Sequence, residues 1–123
     1  MSLILIVEDN EKNLKLVRDV LQVKGYKTLE TGTAEDGIKL AIDKKPDLIL
    51  MDIQLPGMNG IEALKVLRED PATSGIPVVA VTASVMQQDR TLITEAGFDG
   101  YVSKPISIKE FLDAVNKALA GKV

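Results

Sequence analysis

Apolar residues fall along this chain in two alternating rhythms. Leu3-Ile-Leu-Ile-Val7, Leu48-Ile-Leu-Met51 and Pro77-Val-Val-Ala-Val81 are continuous runs, too short for helices and rich in aliphatic and β-branched residues, which predicts strands buried on both faces. Tyr26 to Thr31 and Tyr101 to Ser103 predict shorter or less apolar strands. Between the strands the apolar spacing lengthens to three and four. Leu14, Val17 and Leu21 mark a helix within residues 10–24 that stops at Gly25. Ile38, Ala41 and Ile42 mark another within residues 34–44, with Thr33 as its cap. Ile61, Leu64 and Leu67 mark a third, ended by Asp70-Pro71. Residues 85–96, closed by Gly97, predict a more polar fourth helix. In the last, Ser107 and Glu110 match a capping box, and Ile108, Phe111, Leu112, Val115 and Leu119 form a full apolar stripe. Strand-then-helix units repeated in this way predict an α/β fold, an open parallel sheet covered by helices on both faces and wound by right-handed crossovers.

The apolar strands end on polar residues that carry chemistry. Glu8 and Asp9 follow the first, Asp52 the third, Thr82 the fourth and Lys104 the fifth. In open parallel sheets the C-terminal ends of the strands form one edge, where ligands bind at the point at which strand order reverses. A single polar residue after a strand means little, because loops are solvated. Carboxylates collected from separate strands onto one edge repel one another unless a cation intervenes, and hard oxygen ligands favour Mg²⁺.

Composition narrows the chemistry. The 123 residues suit one domain, and 46% hydrophobic with 27% charged residues is ordinary for a globular protein. No apolar run approaches the roughly 20 residues needed to cross a bilayer, and the N-terminus lacks a signal-type core, so a cytoplasmic location is expected. With 15 basic against 18 acidic residues and no basic block, nucleic acid is a poor partner. Cysteine and histidine are both absent, which excludes disulfides, thiolate or imidazole metal sites, Ser/His/Asp catalysis and an internal phosphohistidine. Carboxylate, hydroxyl and lysine chemistry remain.

Taken together, Glu8-Asp9, Asp52 in LILMDIQLPGMNG, Thr82-Ala83 after PVVAV and Lys104-Pro105 in YVSKP resemble the receiver domain of two-component response regulators, of the stand-alone, single-domain kind. The resemblance spans essentially the whole chain. It implies a flavodoxin-like (βα)5 fold with strand order 2-1-3-4-5, one domain over residues 1–123 and no output domain. By the same resemblance Asp52 is the phosphoacceptor, taking a phosphoryl group from a histidine kinase or histidine phosphotransfer protein. Asp9, Asp52 and the Gln54 carbonyl would ligate Mg²⁺, with Glu8 acting through a coordinated water. Thr82 and Lys104 would contact phosphoryl oxygens, and Tyr101 would change rotamer with the switch. Gln54 and Ser84 would flank the attacking water and tune dephosphorylation. Pro105 would follow a cis peptide bond, against the usual trans preference. The downstream protein target would dock on the fourth helix, fifth strand and fifth helix, with Val85 and Met86 joining that surface if exposed.

Two other readings stand beside this one. A magnesium phosphatase or phosphotransferase with an aspartyl nucleophile shares the sheet, the metal and a lysine, but its motif usually places a second acid two residues on; here Gln54 stands there and cannot donate a proton. A constitutive binding module would predict loss of the acceptor or the lysine, and both are present. Gly57 and Gly60 read as turn residues, since GMNG has neither the Walker spacing nor a following lysine.

Overall fold

The computed structural model describes residues 2–82, 93 and 95–120. Five strands, β1 (Leu3–Val7), β2 (Lys27–Thr31), β3 (Leu48–Asp52), β4 (Val78–Thr82) and β5 (Gly100–Ser103), pair in parallel in the order β2-β1-β3-β4-β5. The predicted topology is the one observed. Helices α1 (Glu11–Val23), α2 (Ala34–Lys44), α3 (Gly60–Glu69) and α4 (Ile108–Ala120) complete the described elements. The helix expected over residues 85–96 lies largely outside the described residues, although Ile93, Glu95 and Ala96 are helical. Thus α4 here is the fifth helix of the sequence pattern.

Strand alternation divides the core between two faces. Leu5, Val7, Ile49, Met51, Val78 and Ala80 point to one side, where they pack with Ala34 and Ala41 of α2 and Ala63, Leu64 and Leu67 of α3. Ile4, Ile6, Leu48, Leu50, Val79 and Val102 point to the other, against Val17 and Leu21 of α1 and Phe111 and Val115 of α4. Burial on both faces is the reason the central strands carry no polar alternation. Strand β2, at an edge, is more exposed and more polar.

Helix starts follow local chemistry. The side chain of Asn10 accepts the N–H groups of Lys12 and Asn13 to begin α1, and Thr33 accepts that of Asp36 to begin α2. A capping box missing from the sequence reading opens α3: Asn59 accepts the N–H of Glu62 while the Glu62 carboxylate accepts that of Asn59. At the other end of α3, Arg68 donates to the carbonyls of Ser74 and Ile76 and pairs with Asp99 at 2.9 Å. Asp99 in turn accepts the N–H of Val78, so one side-chain network ties α3 to the entries of β4 and β5.

Candidate phosphoacceptor and metal site

Register brings the strand ends level. Val7 pairs with Met51, Asp52 with Val81 and Thr82 with Ser103, so the residues at or just beyond these positions share one edge at the switch point between β1 and β3. Asp52 is itself the last residue of β3, one position further than the apolar run. Carboxylate oxygens of Glu8, Asp9 and Asp52 lie within 4.8 Å of one another, with Glu8 and Asp52 buried and Asp9 exposed. The Lys104 ammonium sits on the two buried acids, 3.0 Å from Glu8 Oε1 and 3.1 Å from Asp52 Oδ2. The backbone N–H of Lys104 donates to the Thr82 carbonyl at 2.8 Å, tying the end of β5 to that of β4.

Each buried acid also accepts a backbone N–H: Glu8 Oε2 from Asn10 at 3.2 Å, and Asp52 Oδ1 from Gln54 at 2.9 Å. Desolvation pushes the Glu8 carboxyl up to about 7, and the hydrogen bond and charge of Asp52 add to this against the opposing pull of Lys104 and the Asn10 amide. Burial acts to lower the pKa of the Lys104 ammonium, but Glu8 and Asp52 outweigh it and hold the group above its ordinary value. Among the described residues, one cation against three carboxylates leaves an excess of negative charge. The donors are all oxygen, and two of the acids are fixed by the sheet, so the cluster fits a hard divalent ion.

The remaining sequence candidates are distributed unevenly. Thr82 is buried at the end of β4, beside the acids. Gln54 is exposed, and its N–H donates to Asp52. Tyr101 lies on β5, 38% exposed, opposite Ala80. The Lys104–Pro105 peptide is cis. Ser84, Val85 and Met86 lie outside the described residues.

The loop after Asp52 uses glycine for two different reasons. Gly57 has φ +73°, a left-handed turn conformation. Gly60 corrects the turn reading: it is the first residue of α3, and a Cβ there would lie 2.6 Å from the Asp52 carbonyl oxygen and 2.9 Å from Ile53 Cα. Gly60 lets the helix start against the strand end that carries Asp52. Because the clash is with backbone, Gly60→Ala is expected to lower stability by about 2–3 kcal/mol in urea unfolding. An unchanged midpoint would show that the helix start is not held there.

Comparison with known proteins agrees with this geometry. Residues 4–116 match the response regulator receiver domain. The chain is 45% identical over 116 residues to the polar-differentiation response regulator DivK of Brucella anthropi, covering 94% of each, and equally identical to that of Brucella melitensis. Among solved structures it resembles a putative response regulator from Chloroflexus aurantiacus (TM-score 0.92, 28% identity, 97% of this chain and 98% of the other). It also resembles the receiver domain of a Pseudomonas aeruginosa sensor histidine kinase, a structure with magnesium coordinated in its active-site cleft (TM-score 0.89, 28% identity, 97% and 98% covered). A parallel sheet in the order 2-1-3-4-5, acids from β1 and β3 on one edge and a lysine closing over them are thereby accounted for together: the chain belongs to the response regulator receiver domain family.

Proposed function

We propose that this receiver is a phosphorylation-controlled switch whose phosphoacceptor is Asp52. The observation that carries the reading is the setting of that carboxylate: 2% exposed at a strand end, fixed by the Gln54 N–H and the Lys104 ammonium, beside two further acids. An oxygen of Asp52 attacks the phosphorus of a phosphohistidine on a kinase or phosphotransfer protein. The new O–P bond forms as the P–N bond breaks, and the imidazole leaves and takes a proton from solvent.

Asp9 and Asp52, with the Gln54 carbonyl, would hold Mg²⁺, which when bound supplies positive charge against the equatorial phosphoryl oxygens. The magnesium in the similar Pseudomonas receiver supports that assignment. Lys104 pairs with one phosphoryl oxygen and the Thr82 hydroxyl donates to another. Drawing Thr82 toward the phosphoryl group lets Tyr101 turn inward, a charge-triggered shift between two packed states. Exposed Tyr101 on β5 and Ile108, 50% exposed at the start of α4, support a target-docking face that includes these elements. Gln54 and Ser84 tune hydrolysis by orienting or obstructing water, since neither is a strong base.

The phosphoryl group is held as a signal and is not turned over on many substrates, so the protein acts as a switch and not as a phosphatase. Among the described residues no helix is long and apolar enough to cross a membrane, in keeping with action in the cytoplasm. Incubation with Mg²⁺ and a small acyl phosphate donor, followed by intact-mass measurement, tests the reading. One labile phosphoryl group per chain, mapping to Asp52, is expected; sustained turnover of phosphate esters would favour the enzyme.

A further inference from the structure

The three acids of the site are not equivalent. Lys104 Nζ lies 3.0 Å from Glu8 Oε1 and 3.3 Å from Oε2, and Oε2 also takes the Asn10 N–H, so both oxygens of Glu8 are already engaged. The Glu8 side chain is 4% exposed and that of Lys104 17%. Asp9, by contrast, is exposed and makes no hydrogen bond or ion pair to another described residue. A glutamate at this position has one methylene more than aspartate, and here that length ends on the ammonium.

Charge then changes during the reaction. When an oxygen of Asp52 bonds to phosphorus, the negative charge passes to the phosphoryl oxygens, and the Lys104 ammonium must turn from the carboxylate to one of them. Until that oxygen arrives, a strongly hydrated ammonium on a flexible four-carbon stem is drawn toward water unless an anion besides Asp52 holds it in place. Only Glu8 is placed to do so among the described residues, because it alone shares the ammonium with Asp52. Resting on the receiver reading above, we infer that Glu8 is the positioning residue for Lys104: it holds the ammonium where the phosphoryl oxygen arrives, and it serves the lysine before the metal.

The inference assigns the ion to Asp9 and Asp52 and makes Glu8 act through Lys104, which a double-mutant cycle can read. Phosphoryl uptake from a small acyl phosphate is measured at pH 8 in saturating Mg²⁺ for wild type, Glu8→Gln, Lys104→Met and the double variant, with far-UV circular dichroism as a fold control. In the step, the O–P bond to Asp52 forms as the donor's P–O bond breaks, and the donor leaves as a carboxylate. Glu8→Gln and Lys104→Met are each expected to slow uptake by about tenfold, with the double variant no slower than Lys104→Met alone. Mn²⁺ titration, followed by the loss of the free-ion electron paramagnetic resonance signal, is expected to show a larger rise in dissociation constant for Asp9→Asn than for Glu8→Gln. Multiplied losses in the double variant, a Glu8→Gln uptake rate equal to that of wild type in saturating Mg²⁺, or the reverse order of Mn²⁺ affinities would each overturn the role assigned to Glu8 and leave the receiver reading intact. Absence of uptake and of Mn²⁺ binding in wild type would overturn both.

Discussion

Asp52→Asn is expected to lose phosphoryl uptake by at least about a thousandfold and, in chelator, to unfold at higher urea than the wild type. The first half follows from chemistry: an amide oxygen is a poor nucleophile and cannot form a stable acyl phosphate. The second follows from counting neighbours. Among the described residues of the metal-free protein, Asp52 attracts one cation, Lys104, but repels two carboxylates, Glu8 and Asp9, and is itself desolvated. Unit charges about 4 Å apart interact by roughly 4 kcal/mol at an effective dielectric of 20, so two repulsions plus desolvation outweigh one attraction. After loss to relaxation, a net gain of about 1–2 kcal/mol at pH 8 is the expected size. Millimolar Mg²⁺ should reverse part of this, since wild type gains RT ln(1 + [L]/Kd) and the variant lacking a ligand gains less. Urea unfolding of both proteins, with EDTA and with Mg²⁺, checks each half. A less stable variant in EDTA, or equal stabilisation of both by Mg²⁺, would mean that the acids do not share a cation site.

Most of this architecture was legible because a doubly covered parallel sheet leaves a strong signature. Its strands must be apolar on both faces, so the residue at which each run turns polar marks the edge where the strands end, and the placing of Glu8, Asp52, Thr82 and Lys104 together at that edge was legible in that way. The strand order was not readable from periodicity, which records burial and not neighbours; it came with the resemblance to receivers. What escaped were features set by distance in space. The ion pair of Lys104 with Glu8 spans 96 positions, and no local pattern encodes it. Gly60 reads as a turn residue in GMNG because nothing in the sequence shows the Asp52 carbonyl beside it. The Asn59–Glu62 capping box was there to be read, as an Asn three residues before a Glu, but the Gly-rich wording of the loop masked it.

Lys104→Met should destabilise the metal-free protein in a manner that depends on pH, by about 3 kcal/mol or more at pH 8 and by much less near pH 5. The lysine is the only cation hydrogen-bonded to Glu8 and Asp52 among the described residues, and both acids are nearly buried. Removing it leaves uncompensated carboxylates, the costly way to break a buried pair. Glu8 sets the pH window. Its carboxyl stands at about 7 in the folded protein against an ordinary 4.5, so between these values the folded state binds the extra proton. The stability linked to that proton is fully present below 4.5 and is lost as pH rises through 7, up to about 3 kcal/mol for wild type in EDTA. Without Lys104 the opposing pull on Glu8 disappears, its proton is held to higher pH, and the losing window moves upward. Asp52→Asn does the opposite: with a like charge gone, the Glu8 proton is released earlier and the slope between pH 5 and 8 flattens. Urea midpoints of the three proteins across that range, all in EDTA, should therefore fan out at high pH and converge at low pH. Parallel curves would show that the Glu8 proton does not respond to the charges beside it, and the electrostatic account of the site would fail with them.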